Sequence, residues 1–198
     1  AVILAGWIYL DQNFESANDL EAPRTVMLAP GSSVWDIAET LYAVGVVEDP
    51  NVFAFGVWRS GRGGALKAGE YEFLPGITPH EAMELVLAGN GLDHRLTIPE
   101  GLTSAEIKRL LEGTEALAGE VTDMPREGRL LPETYFYRRG DSRADVIYRM
   151  EAGMHGVMAE LWPNRAEGLP FDTPEQALVL ASIVEKETAL EVERRHVA

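Results

Sequence analysis

Glu185 and Glu187 close an apolar run, ALVLASIV (177–184), and they are the strongest candidates for chemistry in the chain. The run opens as a helix should. Thr173 can cap the first amides, Pro174 suits the first helical position because it has no amide to satisfy, and Gln176 completes a capping-box pattern. On a helix turning about 100° per residue, Glu185 and Glu187 point roughly 200° apart. They therefore cannot face one small substrate as an acid and base pair. Glu187 follows Val184 and Ile183 by three and four positions, with Leu180 one turn further back. An apolar wall there would desolvate its carboxyl, raise its pKa and let it hold a proton near neutral pH, as a general acid must. Glu185 instead follows Ala181 and Ser182 and has Lys186 beside it. The competing possibility is that both carboxylates mark the helix reaching solvent, next to the charged tail EVERR (191–195).

Other chemistries find less support. Histidines stand at 80, 94, 155 and 196 without HExxH spacing, and cysteine is absent, so a catalytic metal site lacks its donor pattern. No GxSxG elbow is present. The stretch SGRGG (60–64) lacks the GK[ST] ending of a phosphate loop and does not lie between a strand and a helix; it reads as a flexible loop. A net charge of −15 opposes nucleic-acid binding, which needs clustered Lys and Arg. The lack of cysteine removes disulfides but does not fix the compartment.

The elements that must position these carboxylates follow from local signals. With 198 residues, 46% hydrophobic and 25% charged, the chain can bury a real core in one large or two small domains. One phrase recurs three times: an apolar strand, a glycine turn, a Ser or Thr cap and an amphipathic helix. It appears around Gly31 and Ser33, around Gly76 and Thr78, and around Gly101 and Thr103. Thr78 with Glu81 and Thr103 with Glu106 have capping-box spacing. Asp49 and Pro50 open a further helix through Phe53, Val57 and Trp58, which predicts the order strand, helix, helix, strand. Residues 113–128 lose the apolar period and are the best candidate linker. After them RLLPETYFY (129–137) reads as extended. Ser142 or Asp141 then caps a helix whose Val146, Ile147, Met150, Met154, Val157 and Leu161 describe one buried stripe. The N-terminal part thus mixes strands and helices, and the C-terminal part is mainly helical.

The opening run AVILAGWIYL (1–10) covers about half of the roughly 20 residues a membrane-spanning helix needs. It is either a first element of the fold or the outer end of a signal anchor. Trp7 and Tyr9, with the linker-like polar stretch from Asp11 to Glu21, suit the second.

Four separated segments carry a resemblance. LASIVEKET (180–188), preceded by TPEQA and followed by ERRHVA, looks like the signature of the endolytic murein transglycosylases of the MltG (YceG-like) family. LPETY (131–135), LTIPEGLT (96–103) and LKAGEYEF (66–73) match further family segments in the same order, and the resemblance runs from about Thr25 to the end of the chain.

The resemblance implies an α+β fold. A small LysM-like strand, helix, helix, strand domain with an adjoining strand and helix (25–112) would be followed by the linker (113–128) and by the mainly helical first part of a catalytic domain (129–198). Residues 1–24 would be the end of a membrane anchor and its linker, with the rest in the periplasm of a bacterium and the anchor in its inner membrane. The implied catalytic residue is Glu187, with Thr188 in the place of the Ser that follows the catalytic Glu of lytic transglycosylases; Glu185 is second. Ser182, Glu133, Tyr135, Lys186 and Arg195 are candidates for shaping the cleft or binding substrate, or for purely structural hydrogen bonds. The implied partners are peptidoglycan glycan strands, peptidoglycan synthases and the membrane, with no cofactor, no metal and no nucleic acid. The implied reaction cuts the bond between N-acetylmuramic acid and N-acetylglucosamine without water, leaving a 1,6-anhydro end, so one carboxyl suffices where ordinary glycosidases use two. Family chains run on past the position of Ala198 into segments that complete the cleft, which implies an incomplete groove and little activity here. The alternative from another class is a non-catalytic peptidoglycan-binding or scaffold module.

Overall fold

The structure is a computed structural model that describes residues 2–187, with side chains from Gly6 onward. Thr188 and Arg195 lie outside the described residues. The fold is α+β, and the chain divides into two compact units, Ala1–Asp93 and His94–Ala198.

In the first unit, β1 (Arg24–Leu28) pairs antiparallel with β2 (Gly69–Phe73), from Arg24 opposite Phe73 to Leu28 opposite Gly69. Alternation along each strand turns Val26, Leu28, Tyr71 and Phe73 inward on one face. Between the strands run α2 (Val34–Ala43) and α3 (Pro50–Ser60), so the expected strand, helix, helix, strand order is present. The helix starts are set by short-range bonds. Asp36 N–H donates to Ser33 Oγ at 3.2 Å while Ser33 N–H donates to the Asp36 carboxylate at 2.8 Å, and Asp49 Oδ1 accepts from Asn51 N–H at 2.8 Å. A later helix, α4 (Pro79–Ala88), begins with the Thr78 and Glu81 capping box. Leu41, Phe53, Val57, Phe73, Met83 and Val86 close one core against the sheet.

α1 (Val2–Phe14) packs on that unit. Phe14 is buried in its core, and its ring sits so close to Gly56 of α3 that a β-carbon there would collide with it. The polar stretch after α1 is also held. Asn18 is buried, its Nδ2 donates to the Val46 carbonyl at 3.2 Å, and its Oδ1 accepts from Gly76 N–H at 2.8 Å. Part of the segment that looked like a linker is therefore fastened, because a buried side-chain amide is stable only when its partners are supplied.

In the second unit, β3 (Asp93–Thr97) pairs with β4 (Thr134–Arg138). His94 stacks on Tyr137, Thr97 bonds Thr134, and Ile98 N–H donates to the Glu133 carbonyl at 2.9 Å; these contacts run in opposite directions along the two segments, so the pairing is antiparallel. α5 (Ser104–Glu112) and α6 (Arg143–Leu161) cover the pair, burying Leu96, Ile98, Ile107, Leu111, Val146 and Met150. α7 (Pro174–Glu187) ends the described chain.

Residues 113–128 belong to this unit's core rather than hanging outside it: Leu117 and Val121 are buried. Ala118 N–H donates to the Asp141 carbonyl at 2.8 Å, and Arg143 N–H donates to the Ala118 carbonyl at 2.9 Å. The Arg143 guanidinium also reaches the carbonyls of Leu111 at 2.7 Å, Gly119 at 2.6 Å and Thr114 at 3.0 Å. A cation thus satisfies the open carbonyl end of α5, where the helix dipole favours positive charge. Of the two candidate caps for α6, Ser142 does the capping, its Oγ accepting from Ala144 N–H at 3.1 Å, while Asp141 closes the preceding turn onto Arg138 N–H. The expected stripe on α6 is buried only in its first half. Val146, Ile147 and Met150 are covered, Met154 and Val157 are half-buried, and Leu161 is 60% exposed.

Candidate functional site

The site is built where α7 meets the turn between β3 and α5. The helix starts as its residues dictate: Gln176 N–H donates to Thr173 Oγ1 at 3.3 Å, and Gln176 Oε1 accepts from the amides of Asp172 at 2.8 Å and Thr173 at 3.2 Å. Leu178 then packs against Gly128, where a β-carbon would crowd it.

Fourteen residues of α7 bury one side chain, Val184. Val179 and Ile183 are 60% and 51% exposed. The apolar run therefore does not make the deep wall expected of it. Glu185 is half-buried and Glu187 is exposed. The physical reason is angular: Val184 and Glu185 turn toward the body of the unit, and Glu187 lies roughly 200° around the helix from Glu185.

The last turn of α7 lies against the Pro99–Leu102 turn. A β-carbon at Gly101 would stand 3.8 Å from Lys186 Nζ and 3.9 Å from Glu185 Cγ. Gly101 has φ +75°, a backbone region open to glycine at little cost, and it leaves the space that the Glu185 and Lys186 side chains approach. Just beyond it, Thr103 and Glu106 form the expected capping box: Thr103 N–H donates to the Glu106 carboxylate at 2.8 Å and Glu106 N–H to Thr103 Oγ1 at 3.2 Å. The bonds from Thr103 hold the Glu106 carboxyl below its ordinary pKa, and the charges of Arg109 and Lys186 lower it further. Glu127 adds a second carboxylate to the same helix end, accepting from Ser104 N–H at 2.9 Å and 3.1 Å.

The LPETY segment arrives from the other side. Its Glu133 carbonyl holds Ile98 N–H, three residues before Gly101, and the Glu133 side chain is exposed. Tyr135 is buried and its hydroxyl donates to the Leu131 carbonyl at 2.8 Å, a structural role; burial, then the charge of Glu133, pushes its pKa up. The Ser182 hydroxyl is also engaged, donating to the Val179 carbonyl of its own helix at 2.8 Å.

Glu185, Lys186 and the backbone of Glu133 are therefore gathered on the segment 98–101, while Ser182 and Tyr135 are tied into their own elements. The fourth matching segment, LKAGEYEF, supplies β2 of the first unit. Sequence reasoning missed Glu127 and Arg143. Glu127 lay in the presumed linker, and only the spacing of Thr103 to Glu106 hinted that this helix end collects carboxylates. Among the described residues there is no cluster of three His, Asp or Glu that could hold a metal ion. A separate groove of about 720 Å³ lies between α6 and α7, bordered by Arg129, Tyr148, Glu151, His155 and Trp162.

Comparison with curated proteins finds no match. Among solved structures, a 2.6 Å crystal structure of a yceG-like protein from Listeria monocytogenes is similar, with 23% identity and a TM-score of 0.40. The alignment covers 87% of this chain and 66% of that one, so the chain spans slightly less than two thirds of its neighbour. The model of the YceG-like family matches residues 26–198, a stretch that takes in all four segments, and the chain belongs to the YceG-like family.

Proposed function

We propose that the chain forms part of an endolytic peptidoglycan lytic transglycosylase. Family membership gives it a cell-wall-related role. The observation that carries the finer step is the meeting of α7 with the Pro99–Leu102 turn, which sets Glu185 and Lys186 beside Gly101 and leaves Glu187 open to a large ligand.

In the proposed reaction the Glu187 carboxyl donates its proton to the glycosidic oxygen as the bond from C1 of N-acetylmuramic acid to the departing N-acetylglucosamine breaks. The carboxylate then takes the proton from the 6-hydroxyl of the same muramic residue as that oxygen bonds to C1, which regenerates the acid and leaves a 1,6-anhydro ring. An internal nucleophile held close gains the effective concentration of an intramolecular reaction. Lys186 lies next to both carboxylates in sequence, and its positive charge in the last turn of α7 suits the negative end of that helix. The first unit, with its strand, helix, helix, strand order, would act as a LysM-like module that docks on glycan. The proposal places the protein at the bacterial inner membrane, facing the periplasm, with glycan strands as substrate, peptidoglycan synthases as partner enzymes and no cofactor.

The test is product analysis. The full-length protein and its Glu187→Gln and Glu185→Gln variants are incubated with peptidoglycan and the products examined by mass spectrometry. Anhydromuramyl ends are expected from the unmodified protein, with at least a hundredfold loss in Glu187→Gln, the scale of a general acid's contribution. Undiminished product from Glu187→Gln would remove that residue from the chemistry.

One observation favours a second possibility, a non-catalytic glycan-binding module. Glu187 is exposed at the end of α7, with no closed apolar wall around it among the described residues. Glycan binding with no anhydro product from any of the three proteins would support it.

A further inference from the structure

The second unit carries a groove that the proposed chemistry does not use. It lies between α6 and α7 with a volume of about 720 Å³, within the roughly 300–1,000 Å³ of ligand pockets. One face of α6, continued by Trp162, lines it from end to end. Tyr148, Glu151, His155, Met158 and Trp162 fall within about a quarter of a turn at 100° per residue, turned away from the buried Val146 and Met150. From Tyr148 to Trp162 this face is about 21 Å long at 1.5 Å per residue. Glu175 and Leu178 at the start of α7 form the other wall, and Arg129 joins the rim from the segment before β4.

The side chains along it are of several kinds. Trp162 is held in place at one end: the Arg165 guanidinium lies 4.1 Å from its ring centroid, and Arg165 Nη1 donates to the Trp162 carbonyl at 2.9 Å. Tyr148 at the other end is 71% exposed and offers a ring and a hydroxyl together. Between them along α6, Met154 and Met158 give an adaptable apolar lining that suits small methyl side chains. Charges of both signs border the same space. Arg129 can grip a carboxylate through two parallel bonds, and Glu151 and Glu175 can accept from an amine. A neutral sugar needs none of these charges, whereas a peptide with carboxylates, an amine and methyl side chains uses all of them. An extended peptide of about six residues spans roughly 20 Å, the length of this face.

We propose that this groove holds a peptide branch of peptidoglycan, a short chain that carries carboxylates, an amine and methyl side chains. The choice of occupant rests on the cell-wall role and substrate proposed above. The groove is not the face of Glu187: Leu178 on its wall and Glu187 are nine positions apart on α7, about 180° around and roughly 14 Å along the helix. The branch is gripped on one side of α7 while the glycan backbone is presented on the other. An extended branch of about five residues, roughly 17 Å, outreaches the helix diameter of about 10–12 Å. Strands that still bear their peptides are thereby favoured over bare glycan.

The probe is the N-acetylated pentapeptide L-Ala-γ-D-Glu-L-Lys-D-Ala-D-Ala, titrated into the full-length protein by calorimetry, with hydrogen-exchange mass spectrometry to locate it. Binding is expected, with protection confined to residues 128–129, 148–162 and 174–178. Arg129→Gln and Glu151→Gln, both at exposed side chains, should each weaken it by about tenfold, the scale of one charge-assisted hydrogen bond, with an unchanged circular dichroism spectrum. Absence of binding, protection elsewhere, or two variants that bind as the unmodified protein does would overturn the proposal. Glycan strands stripped of peptide that protect the same segments would make the groove a sugar site, and protection that grows with protein concentration alone would give it to a second copy; either result overturns it too. Peptide binding with no anhydromuramyl product would sink the transglycosylase reading and leave this one standing. Anhydromuramyl product without peptide binding would do the reverse.

Discussion

Lys186 acts on its neighbours through its charge. Its ammonium lies near Gly101 and contributes to holding Glu106 ionised, after the larger effect of the Thr103 bonds and that of Arg109. Glu106 therefore titrates below the ordinary carboxylate range in the folded chain, as do Asp36, held by Ser33, and Glu84, held by Arg62. A carboxyl whose pKa is lowered on folding adds stability that is fully present above its unfolded pKa, about 4, and is lost as pH falls through the folded value. Carbon-detected NMR titration should accordingly find Glu106 below a normal glutamate, and Lys186→Met should move it up by less than Thr103→Ala does. A Glu106 titration unchanged in Lys186→Met would remove the lysine from this electrostatic group.

Helix starts are the elements most directly written in the chain. Thr103→Ala removes the hydroxyl that accepts from Glu106 N–H but keeps the Thr103 amide bond to the carboxylate, so it should cost about 1 kcal/mol in chemical denaturation. Docking of α1 on α3 is written less openly. Gly56 faces the Phe14 ring with no room for a β-carbon, so Gly56→Ala should cost about 1–3 kcal/mol despite the higher helix propensity of alanine. The effect should show as faster amide exchange in α1. If Gly56→Ala were neutral and α1 kept its protection, the close approach of these two helices would not be as described.

Across the whole molecule the balance of charge is one-sided. Seventeen basic residues face 32 acidic ones, and such an excess repels itself in the compact state. Raising ionic strength from about 0.01 M to about 0.15 M shortens the screening length from roughly 30 Å to 8 Å and should raise the melting temperature. A fall on adding salt would show that the ion pairs outweigh the repulsion. The same chain also shows where its sequence was readable. The capping residues Ser33, Asp49, Thr78, Thr103 and Thr173, the glycine turns and the strand, helix, helix, strand order were legible, because each rests on residues within three or four positions of one another. The incorporation of residues 113–128 into a core was not, since it depends on Arg143 and Asp141 reaching back to Ala118. The exposure of Glu187 stood in the sequence only as one of two possibilities, an apolar wall or a helix end reaching solvent. By itself the sequence determined which residues could do chemistry and that Glu185 and Glu187 must point apart, because helical angle is local. Only the tertiary structure decided which of them is half-buried against Gly101, because burial is set by what distant segments bring to each face of a helix.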